Sequence, residues 1–212
     1  MSEDFVTLYP GYDVLAKWQT PSWNDVTRAV VQKRLVEIPS RRFFNEQQWL
    51  TLVAICDRVI PQPERSEPIP VAPWIDARLF EGKRTGTRYA SLPPEPDSWR
   101  RGMDAIDAEA QHRYRRPFHR LDPVEQDLML RTLGRNESEA PEWQGLPSKT
   151  LLRHVILRAI VEIYYAHPAA WSEIGFGGPA SPRGYVRLGV NRRDEWEAVE
   201  RAPAPAQQLY PK

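Results

Sequence analysis

The chain has 212 residues and balances 29 Lys+Arg against 28 Asp+Glu, so it lacks the basic excess of a general nucleic-acid binder. Its single cysteine, Cys56, excludes a disulfide framework and any multi-cysteine zinc or iron–sulfur site, and no apolar run reaches the roughly 18 residues of a membrane span. Proline is the outlier: its 21 residues are about twice the usual share, and eight tryptophans are too many for a disordered chain, which together predict a small core plus segments that pack on something else.

The first 44 residues read as an aromatic arm carrying Tyr9, Tyr12, Trp18, Trp23, Phe43 and Phe44. Val26, Val30 and Val31 predict a short helix over about 24–35 within it. The arm either folds back on this chain's own core or wraps a partner. It has no apolar h-region and no twin-arginine start, so the expected location is the cytoplasm.

A well-signalled helix follows. Asn45 caps it, Gln48 completes a capping box, and Phe44 with Trp49 forms a hydrophobic staple. Trp49, Leu52, Val53, Cys56, Val59 and Ile60 make one apolar stripe that Pro61 ends. Cys56 lies on that stripe and reads as a small core residue rather than a nucleophile.

Residues 61–96 hold eight of the prolines, interrupted by a predicted helix over 71–81 with Gly82 as its C-cap. A longer helix is predicted over 97–116 from Met103, Ile106, Ala110 and Tyr114. Asp122, Pro123 and Glu125 then supply an N-cap, a proline at the first helical position and an acid two residues later. The helix they start carries Val124, Leu128 and Leu133 as its apolar positions and stops at Gly134. Ser148 opens the most apolar helix of the chain, which runs to His167-Pro168 and forms the centre of the predicted bundle. The tail carries Trp171, Phe176 and Tyr185 among glycines and prolines, and a last short helix is predicted over 193–200. The expected fold is mainly α: a small irregular helical bundle with long proline- and aromatic-rich arms and loops. The expected segments are an arm at 1–44, a helical domain at 45–190, and a short helix with a mobile tail at 191–212.

The residues assemble no catalytic constellation. Gly175, Gly177 and Gly178 follow no strand and so make no dinucleotide-binding fingerprint; they read as a tight turn with close backbone approach. His112, His119, His154 and His167 share no evident ligand spacing. Arg158 and Glu162 read as a helix ion pair. The cluster Arg113, Arg115, Arg116 and Arg120 reads as a solvated helix end or as a contact patch for an anionic partner. The expectation is no catalytic residue, no bound cofactor and no metal in this chain.

Four stretches, taken in order, carry a family resemblance. They are Asp57-Arg58-Val59-Ile60-Pro61; Gly102 to Asp107, with Tyr114 and Pro117-Phe118; Leu121, Pro123 and Gln126; and Tyr165, Pro168, Trp171 and Gly175-Phe176-Gly177-Gly178. The set, spread over 43–185, resembles the gluconate 2-dehydrogenase subunit 3 family. That resemblance implies a non-catalytic small subunit bound to a large FAD-dependent subunit of the glucose–methanol–choline type, which oxidises sugars, sugar acids or related alcohols. It allows a cytochrome c subunit as a further partner. The flavin belongs to the large subunit, and neither nucleic acid nor a membrane span is expected. Many family members carry a twin-arginine signal where this chain has its aromatic arm; co-export to the periplasm on a partner's signal is the alternative to a cytoplasmic complex. Trp18, Trp23, Trp171, Phe176, Gly177, Gly178 and Tyr185 are the expected partner-binding residues, since aromatics commonly anchor interfaces. A free-standing adaptor or assembly chaperone for a flavoprotein, or an independent metal- or haem-dependent protein, are the alternative readings.

Overall fold

The computed structural model describes residues 7–63, 65–83, 86, 89–180, 184 and 193–201. The protein is mainly α, and the described residues include no strand. The chain divides into two compact units, Ile38–Tyr164 and the joined ends Met1–Glu37 with Tyr165–Lys212. Residues 1–37 of the expected arm thus share a unit with the tail, while its last residues, including Phe43 and Phe44, belong to the central unit.

Helix α1 (Asp25–Val36) lies in the terminal unit. The first helix of the central unit is α2 (Glu46–Val59), and its capping box is formed: Asn45 Oδ1 accepts from Gln48 N at 2.9 Å, and Gln48 Oε1 accepts from Asn45 N at 3.3 Å. Its stripe buries Leu52, Ile55 and Cys56. Helix α3 (Val71–Phe80) packs Val71, Ala72, Ile75 and Leu79 inward and ends at Gly82, whose φ of +66° is the left-handed turn glycine tolerates. Asp76 of α3 is fully buried and accepts from the backbone N–H groups of Arg42, Phe43 and Phe44 at 2.7–3.2 Å. That carboxylate satisfies donors that would otherwise be orphaned just ahead of α2.

Helix α4 (Glu95–Tyr114) buries Trp99, Met103, Ile106 and Ala110 on one stripe. Gly102 interrupts that stripe for a packing reason: a Cβ there would stand 2.6 Å from a methyl of Leu151. Asp107 accepts from Phe118 N at 2.9 Å and so folds the chain back after α4. Helix α5 (Pro123–Leu133) begins with a second complete capping box, Asp122 with Glu125. Its rotation differs from the sequence reading. Gln126 donates to Phe118 O at 3.0 Å, and this bond with the cap turns Gln126, Met129 and Leu133 inward. Val124 and Leu128, expected in the core, are 76% and 56% exposed.

The loop after α5 is held by one buried acid. Glu109 is 0% exposed and accepts from Glu139 N, Ala140 N, Trp143 Nε1 and Arg113. The apolar helix then runs as α6 (Ser148–Leu151), a π-helical stretch (Leu152–Ile156) and α7 (Leu157–Tyr164), with helical backbone throughout. It buries Leu151, Leu152, Ile156, Ala159, Ile160 and Tyr164, while Val161 faces solvent. The helix is therefore covered on one side, not all round.

In the terminal unit, a 3-10 turn (Val14–Lys17), α1 and a short helix α8 (Pro168–Glu173) pack together. Helix α8 is absent from the sequence reading. His167 caps it through Nδ1, which accepts from Ala169 N at 3.2 Å, and Pro168 takes the first helical position. The helix expected over 193–200 is not formed: residues 193–201 make a turn closed by Glu197 N donating to Asp194 O at 3.1 Å.

Candidate functional site

Six of the seven expected partner-binding residues are described, and all six lie in the terminal unit, whose core is Val14, Trp23, Val31 and Trp171. Trp18 meets Trp23 edge-on at 5.7 Å, and Phe176 meets Trp171 edge-on at 5.7 Å. Trp171 donates from Nε1 to Tyr165 O at 2.6 Å. The Arg34 guanidinium lies 5.8 Å from the Trp171 ring and donates to Ala166 O at 2.8 Å.

This arrangement corrects the expected role of two tryptophans. Trp23 and Trp171 are each 2% exposed, so their rings build this chain's own core and present no face to a partner. The physical reason is that both chain ends supply apolar surface to one unit, and the largest rings fill its centre. Trp18 packs against that core and is half-buried. Phe176 remains 44% exposed beside Ile174 at 40%.

The glycine turn has an internal purpose as well. Gly175 and Gly178 have φ of +67° and +68°. A Cβ on Gly175 would stand 2.6 Å from the Tyr9 ring, and one on Gly178 would stand 2.8 Å from the Trp171 ring. The close approach expected of this turn is to the chain's own aromatic rings. Gly177 is buried in the same turn. Tyr185 lies outside the described residues.

The central unit holds a polar cleft that the sequence did not announce. It is lined by Arg78, Tyr89, Glu95, His154, Arg158 and Glu162, where the π-helical stretch meets α3 and α4. Arg78 reaches Glu95 at 3.4 Å and Glu162 at 3.7 Å, and its buried Nε has no hydrogen-bond partner among the described residues. The ring of His154 packs 4.8 Å from that of Tyr89. Ser98, also in the cleft, donates its hydroxyl to Pro93 O at 2.9 Å and so is not poised against a base. Arg158 pairs with Glu162 at 2.6 Å, as the helical spacing predicts. Only a bend of the helix register could have exposed this cleft in sequence, and π-helical stretches leave no composition signal.

Cys56 is buried, and that burial, with Asp57 nearby, pushes its thiol well above the ordinary range, which leaves it protonated and unreactive. Among the described residues no three His, Cys, Asp or Glu side chains gather as metal ligands, and no helix is long and apolar enough to cross a membrane.

No curated protein and no solved structure matches the chain. A family model does match, over residues 46–178, from the first helix of the central unit through the glycine turn of the terminal one. That span covers more than half of the chain, and within it stand the half-buried Asp107 that folds the chain back, the Leu151-packed Gly102 and the capped start of α5. The chain belongs to the gluconate 2-dehydrogenase subunit 3 family.

Proposed function

We propose that this chain is the non-catalytic small subunit of a dehydrogenase complex, binding and stabilising a large FAD-dependent subunit of the glucose–methanol–choline type that oxidises sugars, sugar acids or related alcohols. The observation that carries this reading is the family match over 46–178. The site chemistry is consistent with it. Ser98 and Cys56 are both withdrawn from nucleophilic use. The glycine turn follows a helix rather than a strand, so its geometry does not fit a dinucleotide phosphate, and the flavin is assigned to the partner. A cytochrome c subunit is a further candidate partner. The complex is assigned to the cytoplasm, with periplasmic location by co-export as the alternative.

The test is purification through a tag on this chain after co-expression with the flavoprotein subunit encoded in the same organism. A stoichiometric yellow complex with flavin absorbance is the expected result. Dehydrogenase activity from this chain alone, or a chain that never co-purifies with flavin, would sink the reading.

A further inference from the structure

The outer stripe of α5 is built unlike a solvated helix face. Val124, Leu128, Arg131 and Arg135 stand at i, i+4, i+7 and i+11, the first three within one narrow stripe of helix surface and Arg135 two residues past the helix end. Val124 and Leu128 are the exposed apolar pair left over once the cap and the Gln126 bond have set the helix rotation. Beside them the charge is one-sided. Each acid of this helix and its cap is already engaged: Asp122 accepts from Val124 N and Glu125 N, Glu125 takes Arg116 at 2.6 Å, and Asp127 takes Arg58 at 2.8 Å. Arg120 and Arg135 have no ion-pair partner among the described residues, and Arg131 faces only the charge of Asp127 one turn before it, whose oxygens Arg58 already holds.

We propose that this stripe is the surface through which the chain docks its dehydrogenase subunit, and that the partner presents there an apolar depression rimmed by carboxylates. The assignment rests on the proposed role as a small subunit. Charge complementarity selects the occupant: a stripe with more arginine than acid left to pair with it among the described residues calls for acids, and the planar forks bind carboxylates bidentately. Arginine is among the residues that anchor interfaces, and the aliphatic pair beside it supplies apolar area to exclude water around that anchor. Two aliphatic side chains on one short helix are too little apolar surface for binding in a lipid interface, and the chain's net charge of +1 disfavours nucleic acid.

The experiment uses the tagged full chain co-expressed with its flavoprotein subunit and compares the flavin retained per chain. Leu128→Asp, and separately Arg131→Glu with Arg135→Glu, are expected to lower retention at least about tenfold. The isolated variants should keep the parent circular dichroism and melting temperature, because the altered side chains are exposed. The arginine pair should matter more at low salt than at high salt. Leu128→Ser adds no charge and takes the place of the aspartate if that residue disturbs α5. Unchanged retention in all variants, with the parent chain still yellow, overturns the surface and leaves the subunit reading standing. A parent chain that retains no flavin overturns both. Loss of binding to phosphatidylglycerol vesicles, with flavoprotein retention intact, gives the stripe to a lipid surface and overturns the proposal too.

Discussion

The two units of this chain are held together by different physics. In Ile38–Tyr164, carboxylates bind backbone N–H groups: the buried Asp76 takes those of Arg42 to Phe44, the half-buried Asp107 takes that of Phe118, and the buried Glu109 takes those of Glu139 and Ala140. In the terminal unit, rings rest on rings and on glycines, as Trp171 does on Gly178 and Tyr9 on Gly175. A carboxylate that captures several donors fixes a loop through direction and charge, and it fails when titrated or removed. Aromatic packing fixes a unit through shape, and it fails when a single atom is added at the contact. The difference teaches where each unit is vulnerable.

The largest effect is expected from a charge placed in the apolar seam of the central unit. Ile160 is fully buried on α7. Ile160→Asp leaves a carboxylate with no captured donor, unlike Asp76 or Glu109, and costs on the order of 5 kcal/mol. The variant should lose most of its helical circular dichroism at ordinary temperature. A well-folded Ile160→Asp protein would mean that the α7 seam is open to water.

Glu109 gives the next largest effect and carries a pH signature. Burial pushes its carboxyl up, but the Ala140 N–H, the Arg113 guanidinium and the Glu139 N–H together outweigh that and hold it below its ordinary value of 4.5. A depressed carboxyl contributes stability that is present above the unfolded value and lost as pH falls through the folded one. The stability curve of the parent chain should therefore drop as pH is lowered below about 4.5. Glu109→Gln should cost about 3 kcal/mol at neutral pH, since it leaves Arg113 without its buried partner and misaligns the donors of the 139–143 loop. It should also flatten the acid limb. Denaturant titrations at neutral and acid pH read both, and an acid limb of unchanged steepness would remove Glu109 from this role.

The same contrast decides what was legible in the sequence. The central unit's helices announce themselves locally: Asn45 with Gln48 and Asp122 with Glu125 form the boxes their spacing predicts, and Gly82 closes α3. Mainly α architecture and family membership were readable from such signals in order. The rotation of α5 was not, because the Gln126 bond to Phe118 O competes with two exposed aliphatics for the inward position, and polar satisfaction prevails. The terminal unit was the least legible. Its defining contacts join residues more than 150 positions apart, such as Val14 N and Ser172 Oγ, and no local periodicity encodes them. Trp23 and Trp171 therefore looked like interface anchors, when each was the other's core neighbour.

Glycine substitutions sharpen the comparison at a smaller scale. Gly82 and Gly178 have nearly the same positive φ, but a Cβ on Gly82 meets no described residue within 4 Å, whereas one on Gly178 meets Trp171 at 2.8 Å and Trp23 at 3.3 Å. Gly82→Ala should cost about 1 kcal/mol from backbone strain alone. Gly178→Ala should cost about 2 kcal/mol or more, because it adds overpacking against two buried indoles. Tryptophan fluorescence should shift in the second variant and stay constant in the first. Equal costs would show that the turn, not the ring contact, determines the glycine.

Phe176 separates folding from docking in the terminal unit, and its effect on stability is the smallest of the set. Its ring meets Trp171 edge-on at 5.7 Å while 44% of the residue remains open to solvent. Phe176→Ala forfeits the edge contact and about half the ring's burial, a loss of about 1 kcal/mol. The backbone bond from Phe176 N to Trp171 O at 2.9 Å does not depend on the side chain, so the turn should persist. The open half of the ring is then the part of Phe176 whose removal can alter partner binding. If the terminal unit also contributes to the complex, Phe176→Ala should reduce flavoprotein retention well beyond what its small stability loss explains. If retention follows stability alone, as it should for the buried Trp171, the aromatic unit serves this chain's own fold and the α5 stripe carries the docking.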